Sequence, residues 1–259
     1  GRPCMRDLAA DAAALRALHR PGQPLVLANV WDAATASVVA KAGAKAIATS
    51  SIAVAMSHGL PDQDVMPPDV AFVAVAAVAA AVDLPVTADI EAGYRLLAPE
   101  LIQRLLGAGA VGCNIEDTDH HRNRGLVPID EQARRLASIR AAATAAGVPI
   151  VLNARIDLFH DRNVDAATRV AEAIERGRAY LAAGADCVYP IFLADPALVK
   201  QFVDGVGGPV NVNVGRGGAT VPDLAALGVS RISAGGGIFF TTLNAVKEAA
   251  TALFGDGAE

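Results

Sequence analysis

Short β-branched runs alternate with Ala-rich amphipathic stretches along almost the whole chain, and this rhythm of repeated βα units limits the folds open to it. The runs predict eight strands, at Leu25–Asn29, Ala46–Thr49, Val86–Asp89, Val111–Glu116, Ile150–Ala154, Cys187–Pro190, Val210–Asn213 and Arg231–Ala234. Between them the spacing predicts helices over Thr35–Ala42, Asp69–Ala81, Pro99–Ala108, Ile129–Ala146, Ala166–Ala183, Pro196–Val203 and Val221–Leu227. Several of these stretches run into a glycine, as at Gly43, Gly109, Gly147, Gly184 and Gly228. Glycine takes the left-handed conformation that stops a helix before the next strand.

Eight such units favour an α/β fold of the (β/α)8 TIM-barrel kind, with an extra N-terminal helix over Met5–His19 and a final helix over Thr241–Leu253. A doubly wound sheet is the alternative. Barrels of this kind occupy about 250 residues as one unit, so the 259 residues read as a single domain, 1–259. The composition, 53% hydrophobic and 19% charged, supplies ample core. A formal net charge of -5 without a Lys/Arg block argues against nucleic acid or an anionic membrane as partner and favours a small molecule. No apolar run reaches the roughly 18 to 20 residues that span a bilayer, and the N-terminus lacks the order of a signal peptide, so a cytoplasmic protein is expected. Cys4, Cys113 and Cys187 share no metal-ligand spacing and read as buried reduced thiols.

In a barrel, residues that finish strands gather at the C-terminal face. Asp89, Glu91 and Glu116 stand at or just after predicted strand ends, and Asp62 lies in the loop after another strand. Carboxylates converging from different strands repel one another unless a hard cation neutralises them, which suggests magnesium. Arg155 is delivered to the same rim, either to clamp a substrate carboxylate or phosphonate or to pair with Asp157 or another rim acid. Ser50 and Ser51 could hold an oxyanion or simply cap a turn, and Asn213 ends the seventh strand. The polar segment Thr118–Pro128 has the character of a mobile lid, in which His120 or His121 could transfer protons and Arg122 or Arg124 could meet an anion. Gly215–Gly218 and Gly235–Gly237 could bind phosphate through backbone amides, though neither has Walker A or Rossmann spacing.

Six stretches together carry a resemblance: Asn29-Val30-Trp31-Asp32-Ala33, Ala48-Thr49-Ser50-Ser51, Gly59-Leu60-Pro61-Asp62, Ala88-Asp89-Ile90-Glu91-Ala92-Gly93-Tyr94, Asn114-Ile115-Glu116-Asp117 and Asn153-Ala154-Arg155-Ile156-Asp157. In order and spacing, from about Pro24 to Ala250, the chain resembles the isocitrate lyase/phosphoenolpyruvate mutase superfamily. The resemblance implies a barrel commonly assembled as a homotetramer, or as a dimer, that uses Mg2+, or Mn2+ in its place, to bind a 2-oxo acid or its enolate. It implies Asp89 as the direct metal ligand and Asp62, Glu91 and Glu116 as acids that hold the metal's water. It also implies Arg155 as the carboxylate clamp and Trp31, Asp32, Ser50, Ser51 and Asn213 as further substrate contacts. The lid departs from the best-known members: Thr118-Asp119-His120-His121-Arg122 stands where the lyases have a Lys-Lys-Cys-Gly-His segment, and Thr118 replaces the lysine of the mutases' Glu-Asp-Lys lid start. The expected activity is cleavage of a carbon–carbon bond in a small, oxaloacetate-like 2-oxo acid. Carbon–phosphorus chemistry on phosphonopyruvate or phosphoenolpyruvate, and non-catalytic binding of a 2-oxo acid, are the alternatives.

Overall fold

The computed structural model describes residues 6–161, 163–215 and 218–255. After helix α1 (Leu8–Ala17), the described strands are β1 (Leu25–Leu27), β2 (Asn29–Val30), β3 (Ile47–Thr49), β4 (Val86–Asp89), β5 (Gly112–Glu116), β6 (Val151–Ile156), β7 (Cys187–Pro190), β8 (Asn211–Asn213) and β9 (Arg231–Ser233). Between and after them run α2 (Ala33–Lys41), α3 (Ser51–Ser57), α4 (Pro68–Ala80), α5 (Ala98–Gly107), α6 (Ile129–Ala145), α7 (Val170–Ala182), α8 (Pro196–Val206), α9 (Val221–Ala226) and α10 (Gly237–Phe254).

Every pairing between the described strands is parallel, in the orders β2-β3-β4-β5-β6-β7 and β1-β9-β8. A parallel bridge from Val188 to Val210 joins β7 to the start of β8, and β1 runs on into β2 through Ala28, so the staves close into the expected barrel. The predicted first strand, Leu25–Asn29, is split because its two halves serve different neighbours: Leu25–Leu27 pair with β9, and Asn29–Val30 with β3. Staggered staves of a closed barrel impose that change of partner. Strands such as β5 and β6 are buried along their whole length, as expected when helices cover the outer face and side chains fill the interior.

Local chemistry sets the helix starts. Asp32 and Thr35 form a capping box on α2, Thr220 and Asp223 do the same on α9, and Asp195 caps α8 ahead of Pro196. Besides shifts of one to three residues at other element ends, further details differ from the sequence expectation. Ser51–Ser57 is a helix rather than a turn; Ala166–Thr168 is a 3-10 turn ahead of α7; β6 extends to Ile156, so Arg155 lies within the strand; and α10 begins at Gly237.

Helix α1 closes the N-terminal end of the barrel. Its Ala12 and Leu15 pack with Leu25, Leu27, Ala46, Ala48, Val111 and Val151. Full burial of Leu15 contributes about 2 kcal/mol, and it leaves the opposite end free for a site. Cys113 and Cys187 are buried free thiols, pushed up to about 12 by burial, while Cys4 lies outside the described residues. Among the described residues no helix is long and apolar enough to cross a membrane.

Candidate active site

β4 delivers Asp89 to the C-terminal mouth. Its backbone N–H donates to Thr49 Oγ1 at 2.9 Å, and its Oδ2 accepts from Ser51 Oγ at 3.2 Å. Glu91 follows in a left-handed conformation (φ 53°), and its Oε1 accepts the Asp64 N–H at 2.8 Å. Asp64 is left-handed as well (φ 55°), and its Oδ1 accepts the Tyr94 N–H at 2.8 Å. Such non-glycine conformations cost about 1 kcal/mol or more each and persist where hydrogen bonds hold them.

Asp62 Oδ1, Asp89 Oδ1 and Glu91 Oε2 are all buried without a hydrogen-bond partner. Burial, opposed by Arg155 and reinforced by Asp62, raises the Asp89 pKa from its ordinary value. Burial takes Glu91 up to about 9, with Asp62 and Glu116 adding to the rise. Orphaned carboxylate oxygens packed together need either protons or a cation. The donors are anionic oxygens only, which fits Mg2+. Among the described residues no group of three or more His, Cys, Asp or Glu side chains is placed to hold a metal ion; Mg2+ ordinarily binds through one or two carboxylates and retains several waters.

Arg155 is held from both sides. Nη1 pairs with Glu116 Oε2 at 2.7 Å, Nε with Asp157 Oδ1 at 2.6 Å, and Nη2 donates to Asp157 Oδ2 at 3.1 Å. The ion pair foreseen as the alternative for Arg155 is therefore present, while the same side chain lines the cavity at the mouth. Burial, opposed by Arg155, brings Glu116 up to about 7; Asp157, against its burial, is held well below the carboxylate range by Arg155. Behind this pair, Asp117 Oδ1 accepts the Asp157 N–H at 2.8 Å, and Asp117 Oδ2 accepts from Tyr180 OH at 2.7 Å and Arg176 Nη1 at 3.1 Å. Arg176 also donates to the Val127 carbonyl at 2.9 Å, and the Val127 N–H donates to the Asp117 carbonyl at 2.8 Å, which clasps the two ends of the 118–128 loop.

A cavity of about 450 Å3 opens at this mouth and brings together Ser50, Ser51, Asp62, Asp89, Arg155 and Asn213. Asn29, Asn114, His160 and Tyr189, which the sequence reading missed, line it too. Asn114 was findable, because a residue two before Glu116 on a strand shares its face; His160 lies in a loop without periodicity. Glu116, His120 and His121 border a second cavity of about 390 Å3 under the loop. His120 Nε2 bonds Glu116 Oε1, and His121 Nε2 bonds Asp64 Oδ2 at 2.8 Å. The two histidines expected to carry protons thus border the second cavity, held by Glu116 and Asp64, and do not line the main one.

Two expected substrate contacts also lie off it. Asp32 is exposed and occupied as a helix cap, its Oδ1 accepting the Thr35 N–H at 2.7 Å, and Trp31 packs edge-on against Phe239 at 5.0 Å. Of the glycine loops, Gly215 and Gly235–Gly237 line the cavity. The Gly235 N–H is already donated to Asn29 Oδ1 at 2.9 Å, and Arg216 and Gly217 lie outside the described residues.

A parallel barrel with acids and one arginine gathered at its C-terminal mouth has the layout of an enzyme active site. Residues 15–254 match the family described as phosphoenolpyruvate phosphomutase. A solved chain from Burkholderia cenocepacia J2315, provisionally called a phosphonomutase, is similar at 38% identity and TM-score 0.87, covering 95% of this chain and 98% of that one. The 2-methylisocitrate lyase of Escherichia coli K12 is 31% identical over 224 residues, 78% of this chain and 73% of the relative. A phosphonopyruvate hydrolase solved with oxalate and Mg2+ is 26% identical with TM-score 0.84, covering 96% and 88% of the two chains. The chain belongs to the phosphoenolpyruvate mutase family, within the isocitrate lyase/phosphoenolpyruvate mutase superfamily of lyases and mutases.

Proposed function

We propose that the enzyme is a Mg2+-dependent lyase that cleaves a carbon–carbon bond in a small 2-oxo acid of the oxaloacetate kind. The observation that carries this reading is the set of unpaired buried oxygens on Asp62, Asp89 and Glu91 beside Arg155. In this reading Asp89 binds the ion directly, and Asp62, Glu91 and Glu116 hold its water. The bound ion supplies Lewis-acid polarisation of the substrate's oxygens. Arg155, already oriented by Glu116 and Asp157, offers a substrate carboxylate a fixed positive charge that needs no reorganisation.

His160 takes the proton-carrying role first expected of His120 or His121. It borders the cavity, and its Nε2 lies 3.2 Å from Arg155 Nη2, close to where an anchored substrate would sit. A guanidinium only donates, so Nε2 accepts from it, and the proton that His160 would return to the carbon left with the electron pair after the bond breaks is the one carried on Nδ1. Carbon–phosphorus cleavage is the second reading, favoured by the family description and by the Burkholderia relative. The enzyme works in the cytoplasm, a reading supported by two free buried thiols, and as a homo-oligomer, a tetramer or dimer. Support for assembly comes from α10, where Leu243, Val246, Leu253 and Phe254 are exposed by 42, 60, 83 and 76%.

Proton and phosphorus NMR time courses with oxaloacetate, phosphonopyruvate, phosphoenolpyruvate and methylisocitrate, with Mg2+ or with EDTA, test the reading. Turnover is expected to need Mg2+, to vanish in Asp89→Asn and to fall about 10²- to 10⁴-fold in kcat in His160→Gln. Undiminished turnover by Asp89→Asn sinks the metal reading, and turnover of phosphonopyruvate alone selects the second.

A further inference from the structure

Beneath the cavity, the barrel interior holds a guanidinium without an acid partner. Arg231, on β9, is 1% exposed; its Nη2 donates to Asn114 Oδ1 at 3.2 Å, and its Nε and Nη1 have no hydrogen-bond partner. Among the described residues no carboxylate forms an ion pair with it. Asn114 stands on β5 opposite Asp89 in the β4–β5 ladder and lines the cavity. Its Oδ1 also accepts from Asn153 Nδ2 at 2.8 Å, and Asn153 Nδ2 in turn donates to Asn211 Oδ1 at 3.0 Å.

These contacts determine which way the Asn114 amide faces. A guanidinium can only donate, so the Asn114 atom that meets Arg231 is oxygen, and the reversed amide would set N–H against N–H. With Oδ1 taken by two donors from within the barrel, the NH2 group is left for the cavity, and among the described residues it makes no hydrogen bond to the protein. Arg231 lies on the oxygen side of this amide. Its charge polarises the group and makes the N–H a stronger donor, and an uncompensated cation under the floor favours an anion above it.

We propose that Asn114 Nδ2 is a substrate-binding donor in the cavity floor that takes an oxygen of the anionic 2-oxo acid, with Arg231 as the positioning residue beneath it. This rests on reading the cavity as a Mg2+ and 2-oxo acid site. The donor serves binding and orientation, and no bond is made or broken at it.

Oxalate is the probe, titrated calorimetrically into protein saturated with Mg2+. Asn114→Asp keeps an acceptor for Arg231 and Asn153 and gives Arg231 the acid it lacks, so its thermal midpoint should hold or rise. The donor role predicts at least a tenfold loss of oxalate binding; because the new carboxylate also repels an anion, that loss supports the donor only when the uncharged variant shows it too. Asn114→Leu, which removes the donor without adding charge, should show a similar loss. Oxalate affinity within twofold of wild type in either folded variant overturns the donor role. In a crystal structure of the wild-type complex, an oxalate oxygen within hydrogen-bond distance of Asn114 Nδ2 is expected, and an Nδ2 turned away from the ligand overturns it. Wild-type protein that binds no oxalate in Mg2+ instead defeats the underlying reading of the cavity.

Discussion

Adding Mg2+ to the metal-free protein at pH 7.5 should expel about one proton per chain from Glu91 and Glu116 together, with any proton held by Asp89 in addition. Burial takes Glu91 up to about 9, so without metal this carboxyl is almost wholly protonated at that pH. Glu116, brought up to about 7 by burial, adds a fraction more. A cation needs the carboxylate form of the acids around it, so binding releases those protons, about one in all. Calorimetric titration in two buffers of different ionisation enthalpy at the same pH reads the number directly. Stability carries the same linkage. Between about 4.5 and about 9 the folded Glu91 binds more proton than its unfolded counterpart, so its contribution is fully present below that window and is lost as pH rises through it. The thermal shift on adding Mg2+ should therefore grow with pH over the same range. Heats independent of buffer, or an identical proton release from Glu91→Gln, would refute the reasoning.

Asp117→Ala removes the acceptor shared by Arg176, Tyr180 and the Asp157 N–H. It should cost about 3 kcal/mol in denaturant unfolding, because the buried guanidinium of Arg176 loses its buried acid and keeps only the half-exposed Glu172; Asp117→Asn should cost clearly less, and an unchanged midpoint for the alanine variant would contradict the role given to the cluster. On α10, Leu243→Lys combined with Val246→Lys changes two exposed positions. Light scattering after gel filtration should show a smaller assembly with unchanged circular dichroism, and an unaltered mass would exclude this helix face as the interface.

The βα alternation was readable because each period is local. The bounds of β4 and β7 agree with the expectation to the residue, since apolar β-branched runs there end at Asp89 and at Pro190. Asp89 and Glu116 were readable as rim acids for a related reason: a parallel barrel brings every strand's C-terminal end to one face. Asp64 was not, although it ties the turn together. Its role depends on Glu91 and Tyr94, which lie 27 and 30 residues further along the chain and meet it only after folding. The lid histidines show the same limit. Their positions four and five residues after Glu116 are plain in the chain, but the direction they face is set by bonds to Glu116 and Asp64 across separate segments.

Fold class, family and the ring of acids were thus encoded in patterns short enough to read within single segments: periodicity, helix-stopping glycines and strand-end carboxylates. The tertiary structure alone decided which carboxylate oxygens stay unpaired, how the donors of Arg155 divide between Glu116 and Asp157, and that His160 rather than His120 or His121 borders the cavity. Each of these outcomes turns on burial and on pairing that reaches across segments, as between Arg155 and Glu116. Desolvation and hydrogen-bond competition have no local signature, because they come into being only when those segments share a space from which water is excluded.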